Sequence, residues 1–281
     1  MRTRKTLGGA LAAILLLILT QLIAQGAAGL LAMIKLPAGV CNIIAGILYA
    51  GLAYAALRLL CEKMLHEHPA ALGMPKLHIQ PRWAITAVLL PLAVTSCYLL
   101  LFRGTFVRAD MRGGEMFSTL SAGIAFTGIA AGFVEEMVFR GVILNLFAQR
   151  WNKVVAVIVP SLLFGIVHIL GAEFTFGSCL LVILAGTMVG VMFSLIALQS
   201  GSVWNSGIMH AVWNIVIIGG GLSIGETADA HAIVSYVLDT RSFAVTGGQF
   251  GIEASVISLA GYCIVAAIAY TLLRADSAKR S

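Results

Sequence analysis

The chain has 281 residues, 60% of them hydrophobic and 11% charged, with a net charge of +6. Together with a mean hydropathy of +0.99, this excludes a soluble domain and describes a polytopic membrane protein. The basic excess does not point to nucleic acid: its residues sit in short connections and near the ends, where they act on topology. Five scattered cysteines (Cys41, Cys61, Cys97, Cys179, Cys263), mostly inside apolar stretches, outline no disulfide framework and no CxxC metal site. They read as small buried hydrophobes.

In chain order, Met1-Arg-Thr-Arg-Lys-Thr precedes an apolar run over 7–34. That run is too long for a signal-peptide core and predicts an uncleaved first span. Further apolar segments follow over 39–61, 83–102, 117–147, 154–170, 177–198, 204–220 and 251–273. The expected fold is therefore all-α, with eight transmembrane helices, the fourth long and the fifth and seventh short. Residues 1–116 form a three-span region with a cytoplasmic linker at 62–82; 117–220 form a core; 221–281 hold an external loop, the last span and a tail. The linker histidines His66, His68 and His78 read as solvated, since two imidazoles two residues apart without a nearby cysteine make a poor metal site. His231 in the external loop reads the same way. With both termini cytoplasmic, twelve Lys and Arg residues fall inside and five (Lys35, Arg103, Arg108, Arg112, Arg241) outside. The expected setting is the plasma membrane of a prokaryote.

The stretch Gly132-Phe-Val-Glu-Glu-Met-Val-Phe-Arg140 breaks the apolar pattern of the fourth span. Each ion at the centre of a span costs about 2.5–3.5 kcal/mol, so two carboxylates and an arginine there point to function. Arg140 follows Glu136 by four residues, the favourable order for pairing along one helix face. Glu135 points about 100° away and stays without that partner. Gly128 and Gly132 continue the Glu136–Arg140 face, and Gly186 and Gly190 form a second small-residue surface.

Two later spans carry imidazoles: His168 in Phe164-Gly-Ile-Val-His168, and His210 in His210-Ala-Val-Trp-Asn214. Asn214 shares a face with His210, and Ser206 lies one turn earlier. Counting from the 149–153 turn puts Glu135 and His168 at one depth, with His210 several ångströms shallower unless the 145–153 hairpin projects from the membrane. A desolvated carboxylate can take a proton from water, a facing imidazole can hold that water, and a second imidazole with an amide can donate to an oxyanion. This set suits peptide hydrolysis: Glu135 the base, His168 orienting water, His210 and Asn214 the oxyanion donors, and Glu136 with Arg140 the scaffold.

At these residues the chain resembles the CPBP family, the CAAX proteases and bacteriocin-processing enzymes also called Abi. The family motifs EExxxR, FxxxH and HxxxN appear in order as Glu135-Glu136-Met-Val-Phe-Arg140, Phe164 to His168 and His210 to Asn214. The resemblance covers about residues 117–220. It implies an intramembrane endopeptidase with the first glutamate of the pair as the catalytic one, while the positions of the polar residues place the expected site between the fourth, fifth and seventh helices. Its substrate would be a membrane-associated peptide or protein, lipidated or not. No cofactor is expected. The enzymatic alternative is Zn²⁺ held by Glu135, His168 and His210, against which stand the missing HExxH pair and the nearby Arg140. The GxGD and GxSG motifs of other intramembrane proteases are absent. Ser206 paired with His210 as a nucleophile lacks a supporting context. The non-enzymatic alternative is a membrane scaffold or proton-coupled transporter.

Overall fold

The computed structural model describes residues 3–169 and 174–279. Its helices follow the apolar runs: α1 Thr3–Met33, α2 Ala38–Leu65, α3 Pro81–Leu101, α4 Gly113–Arg150, α5 Lys153–Val167, α6 Phe176–Ser200, α7 Val203–Ile218 and α8 Val256–Ala278. Among the described residues six of these are long and apolar enough to cross a membrane, while α5 and α7 are apolar but shorter. The eight expected spans thus become six on length. Residue 170, the expected end of the fifth span, lies outside the described residues. Several helix starts carry side-chain caps, which occupy amides left free in the first turn. Asn152 accepts from the Val155 amide at 3.0 Å, Thr175 from Ser178 at 3.3 Å and Ser255 from Ser258 at 3.2 Å.

Helix α4 is not uniform. Ala122–Ala131 and Met137–Ile143 run in wider, π-type turns that flank the Glu135-Glu136 pair. Such turns misalign backbone carbonyls and often mark functional positions. Asn145 Nδ2 donates to the carbonyls of Gly141 at 2.8 Å and Arg140 at 3.2 Å, satisfying the end of the second stretch.

Two apolar cores result. One holds Ala13, Tyr49, Leu57, Val138 and Leu146, from α1, α2 and α4. The other holds Trp83, Tyr98, Phe193, Trp213 and Tyr262, from α3, α6, α7 and α8. Glycines close the seam between them. A Cβ on Gly132 would stand 2.9 Å from the Ala211 amide of α7, and one on Gly186 2.6 Å from Gly165 Cα of α5. Backbone approach of this kind is how helices associate in lipid, where burial of apolar surface supplies no net drive.

Two expectations need correction. The fold is not purely helical: β1 Gly104–Arg108, β2 Leu222–Gly225 and β3 Val234–Leu238 form a sheet in the order β1-β3-β2. β1 and β3 pair antiparallel, with Phe106 opposite Tyr236, and β2 and β3 pair parallel. Pairing satisfies backbone groups that a plain 221–250 loop would leave to water. The 62–82 connection, in turn, is not a free linker. Leu65, Leu72 and Met74 are buried. The Val203 amide donates to Gly73 O at 2.9 Å and Trp204 Nε1 to Pro75 O at 2.7 Å, so the strap fixes the start of α7. His66, His68 and His78 remain exposed on its outer face.

Candidate functional site

Glu136 and Arg140 are fully buried, and Arg140 Nη1 donates to Glu136 Oε1 at 2.7 Å, the pairing that the four-residue spacing predicts. The guanidinium lies 4.3 Å from the ring centroid of Phe164 and 5.3 Å from that of Phe193, so aromatic faces from α5 and α6 hold the cation. Gly190 makes room for it: a Cβ there would approach Nη2 to 3.0 Å.

His210 reaches the same carboxylate. Its Nδ1 lies 3.2 Å from Glu136 Oε1, its ring stacks on Phe193 at 4.9 Å, and its Nε2 is 3.8 Å from Glu135 Oε2. A carboxylate only accepts, so Nδ1 carries the proton in this contact and Nε2 faces Glu135. His210 is therefore not too shallow to join the group. Straight counting at a constant rise fails because the wide turns of α4 reset the depth of residues 135–140, while the strap at 73–80 fixes where α7 begins. Glu135 keeps a 22% exposed side chain, in contrast to its sealed neighbour.

His168 caps the end of α5, its Nδ1 2.7 Å from Phe164 O. The carbonyl also only accepts, so here too Nε2 is the free nitrogen. Phe164 thereby serves twice, below Arg140 and behind His168. Asn214 donates through Nδ2 to Thr127 O at 3.0 Å, a carbonyl within the first wide stretch of α4. Its second amide hydrogen is left for the cavity. Ser206 donates to its own helix at Val203 O, 3.1 Å away, and does not line the cavity with His210.

Glu135, His168, His210 and Asn214 line one cavity of ≈ 150 Å³, walled by Phe164, Phe193 and Trp213. That is about tenfold the smallest volume that holds a water. Two openings meet it. A groove of ≈ 330 Å³ between α1 and the α4–α5 pair, lined by Ile14, Leu17, Phe139 and Val167, shares Glu135 and His168 with the cavity. A polar vestibule of ≈ 750 Å³ on the sheet side shares Ile218, Phe250 and Glu253 with it.

Sequence reasoning missed Glu253. It lies at the start of the apolar run over 251–273, where a single acid looks like an interfacial residue. It sits in the turn Ile252–Ala254, ahead of α8. Desolvation pushes its carboxyl up to about 7, and the Glu135 charge adds to the rise, while hydrogen bonding from Trp213 and the charge of His210 oppose it. For the zinc alternative, no group of three or more His, Cys, Asp or Glu side chains among the described residues is gathered tightly enough to hold a metal ion.

Residues 117–216 match the family model of Rce1-like type II CAAX prenyl endopeptidases. No curated protein and no solved structure matches the chain. Glu135, Glu136, Arg140, His168, His210 and Asn214 all lie inside the matched stretch, and residues 117–216 are accordingly an Rce1-like CAAX endopeptidase domain, consistent with a CPBP-type intramembrane protease.

Proposed function

We propose that the protein hydrolyses a peptide bond in a membrane-associated substrate, with Glu135 activating the water. The observation that carries this reading is the pairing of unlike environments on adjacent residues. Glu136 is sealed and held by Arg140 and His210, whereas Glu135 opens into the cavity within 3.8 Å of His210 Nε2. One carboxylate fixes the imidazole and the other stays free to take a proton, a division set by environment. His168, with Nε2 free, accepts from the attacking water and orients it. His210 Nε2, when protonated, and the second Asn214 amide hydrogen are the donors for the oxyanion. The apolar groove beside α1 admits the lipid-embedded part of the substrate, lipidated or helical, and the vestibule admits its polar part and the water. With both termini in the cytoplasm, the orientation that the excess of basic residues on that side supports, the vestibule faces outward.

The test is a comparison of membrane peptides from cells carrying the wild type or Glu135→Gln. New termini should appear with the wild type and be absent with the variant, at equal levels of folded protein. Equal product from both would remove Glu135 as the base.

A further inference from the structure

One carboxyl in the cavity has no task in that scheme. Glu253 enters from outside the 117–216 stretch, and its placement is constructed rather than incidental. Ser258 Oγ donates to Ile252 O at 2.6 Å and Tyr262 OH donates to Glu253 O at 3.0 Å, tying the turn to α8 on both sides of the side chain. Behind it Gly247, at φ 75°, passes so close to Gly251 that a Cβ would collide with the Gly251 carbonyl. The Glu253 backbone is therefore fixed where the vestibule and the cavity share their lining, and Glu253 lines both. Trp213, from the same helix as His210 and Asn214, faces it and is itself held against the Tyr262 ring at 5.1 Å.

Amide hydrolysis needs an acid as well as a base, because the nitrogen leaves only once protonated. We propose that Glu253 is that acid, delivering the proton to the leaving amine on the vestibule side of the scissile bond. The assignment rests on Glu135 being the base. Water attacks the carbonyl carbon, forming the C–O bond, and gives one proton to Glu135. The C–N bond then breaks as the nitrogen takes the proton of Glu253, leaving a free amine, a new carboxylic acid, neutral Glu135 and ionised Glu253. One proton passed through cavity water from Glu135 to Glu253 restores both groups. The amine-bearing fragment departs through the vestibule.

The surroundings agree with this division. From the cavity side Glu253 meets the fields of Glu135 and His210, with His168 on the same wall; Tyr262 stands on α8; Glu226, Asp229 and Arg241 line the vestibule. Glu226 is engaged by Thr246 at 2.7 Å, and Asp229 accepts from the His231 amide at 2.8 Å, so neither is the cavity's proton source. With its titration near 7, Glu253 holds a proton part of the time at neutral pH, the condition under which a general acid works best.

The experiment uses membranes carrying the wild type, Glu135→Gln, Glu253→Gln or Glu253→Asp, incubated at about pH 6 and about pH 8, with new peptide termini in the membrane proteome quantified over time. The wild-type rate should fall from the lower to the higher pH. Glu253→Gln should be slower by roughly 10²-fold, the lower end of general-acid effects, with that fall abolished; Glu253→Asp should recover part of the rate. A Glu253→Gln rate within threefold of wild type, or a slower rate that keeps the wild-type pH dependence, overturns the assignment. Thermal unfolding of each variant controls for folding. If Glu135→Gln is silent while Glu253→Gln is fully active, the base stands and the acid falls. If Glu135→Gln is itself active, the base assignment falls with it.

Discussion

Arg140 is a fully buried cation, and its partners explain how the chain tolerates it. A buried ion pair gives little net stability, but removing one member strands the other. Arg140→Ala or Glu136→Ala should therefore lower stability by about 3–5 kcal/mol in detergent unfolding. Arg140→Lys should not rescue it, because a compact, strongly hydrated ammonium replaces poorly a guanidinium held 4.3 Å and 5.3 Å from the Phe164 and Phe193 ring centroids. Glu253 makes the opposite prediction with pH. Its folded value near 7 lies above the ordinary 4.5, so the neutral carboxyl contributes its stability fully below about pH 4.5 and loses it as pH rises through 7. The wild type should lose melting temperature relative to Glu253→Gln between about pH 5 and pH 8; parallel curves would show that the carboxyl is solvated. At this scale the sequence was legible wherever partners lie one turn apart. Glu136 and Arg140 meet because helix geometry alone puts them together. His210 and Glu136 meet only because two helices take a particular depth, and no local rule carries that.

At the scale of elements, the decisive contacts are between backbones. Gly132 against Ala211 and Gly186 against Gly165 set the distances from α4 to α7 and from α5 to α6. Gly132→Val should force α7 off its seat, cost about 1–3 kcal/mol as an overpacked contact, and abolish cleavage by moving His210 from Glu136. Retained activity with a merely lowered melting temperature would place the tolerance of the site above this distance. The small-residue spacing was readable from the sequence, but the wide turns of α4 were not, since Ala122–Ala131 and Met137–Ile143 look like ordinary apolar helix. The sheet escaped for a related reason: Gly104–Arg108, Leu222–Gly225 and Val234–Leu238 are too short to show an alternating pattern, and β1 meets β3 only across a long stretch of chain.

At the scale of the molecule, the membrane class follows from composition, but the direction from which the cavity is reached does not. It depends on which helices end early. The vestibule is lined by the start of α6, by the end of α7 with the segment that follows it, and by the 241–253 segment. Thr227→Cys, on the vestibule wall, should react with a membrane-impermeant maleimide in intact cells above the background of the native cysteines. Lys153→Cys should react only after permeabilisation. The reverse pattern would invert the topology. The short α5 carries a further consequence. Its 15 residues rise about 22 Å, against roughly 30 Å of hydrocarbon in an ordinary bilayer, and Val154, Ile158 and Leu162 turn outward to lipid along it. Acyl chains beside α5 must shorten or tilt to match, which draws the headgroup layer down toward His168. Turnover in reconstituted vesicles should accordingly rise as the lipid tails are shortened and fall as they are lengthened, making the thickness of the host membrane a control on the enzyme.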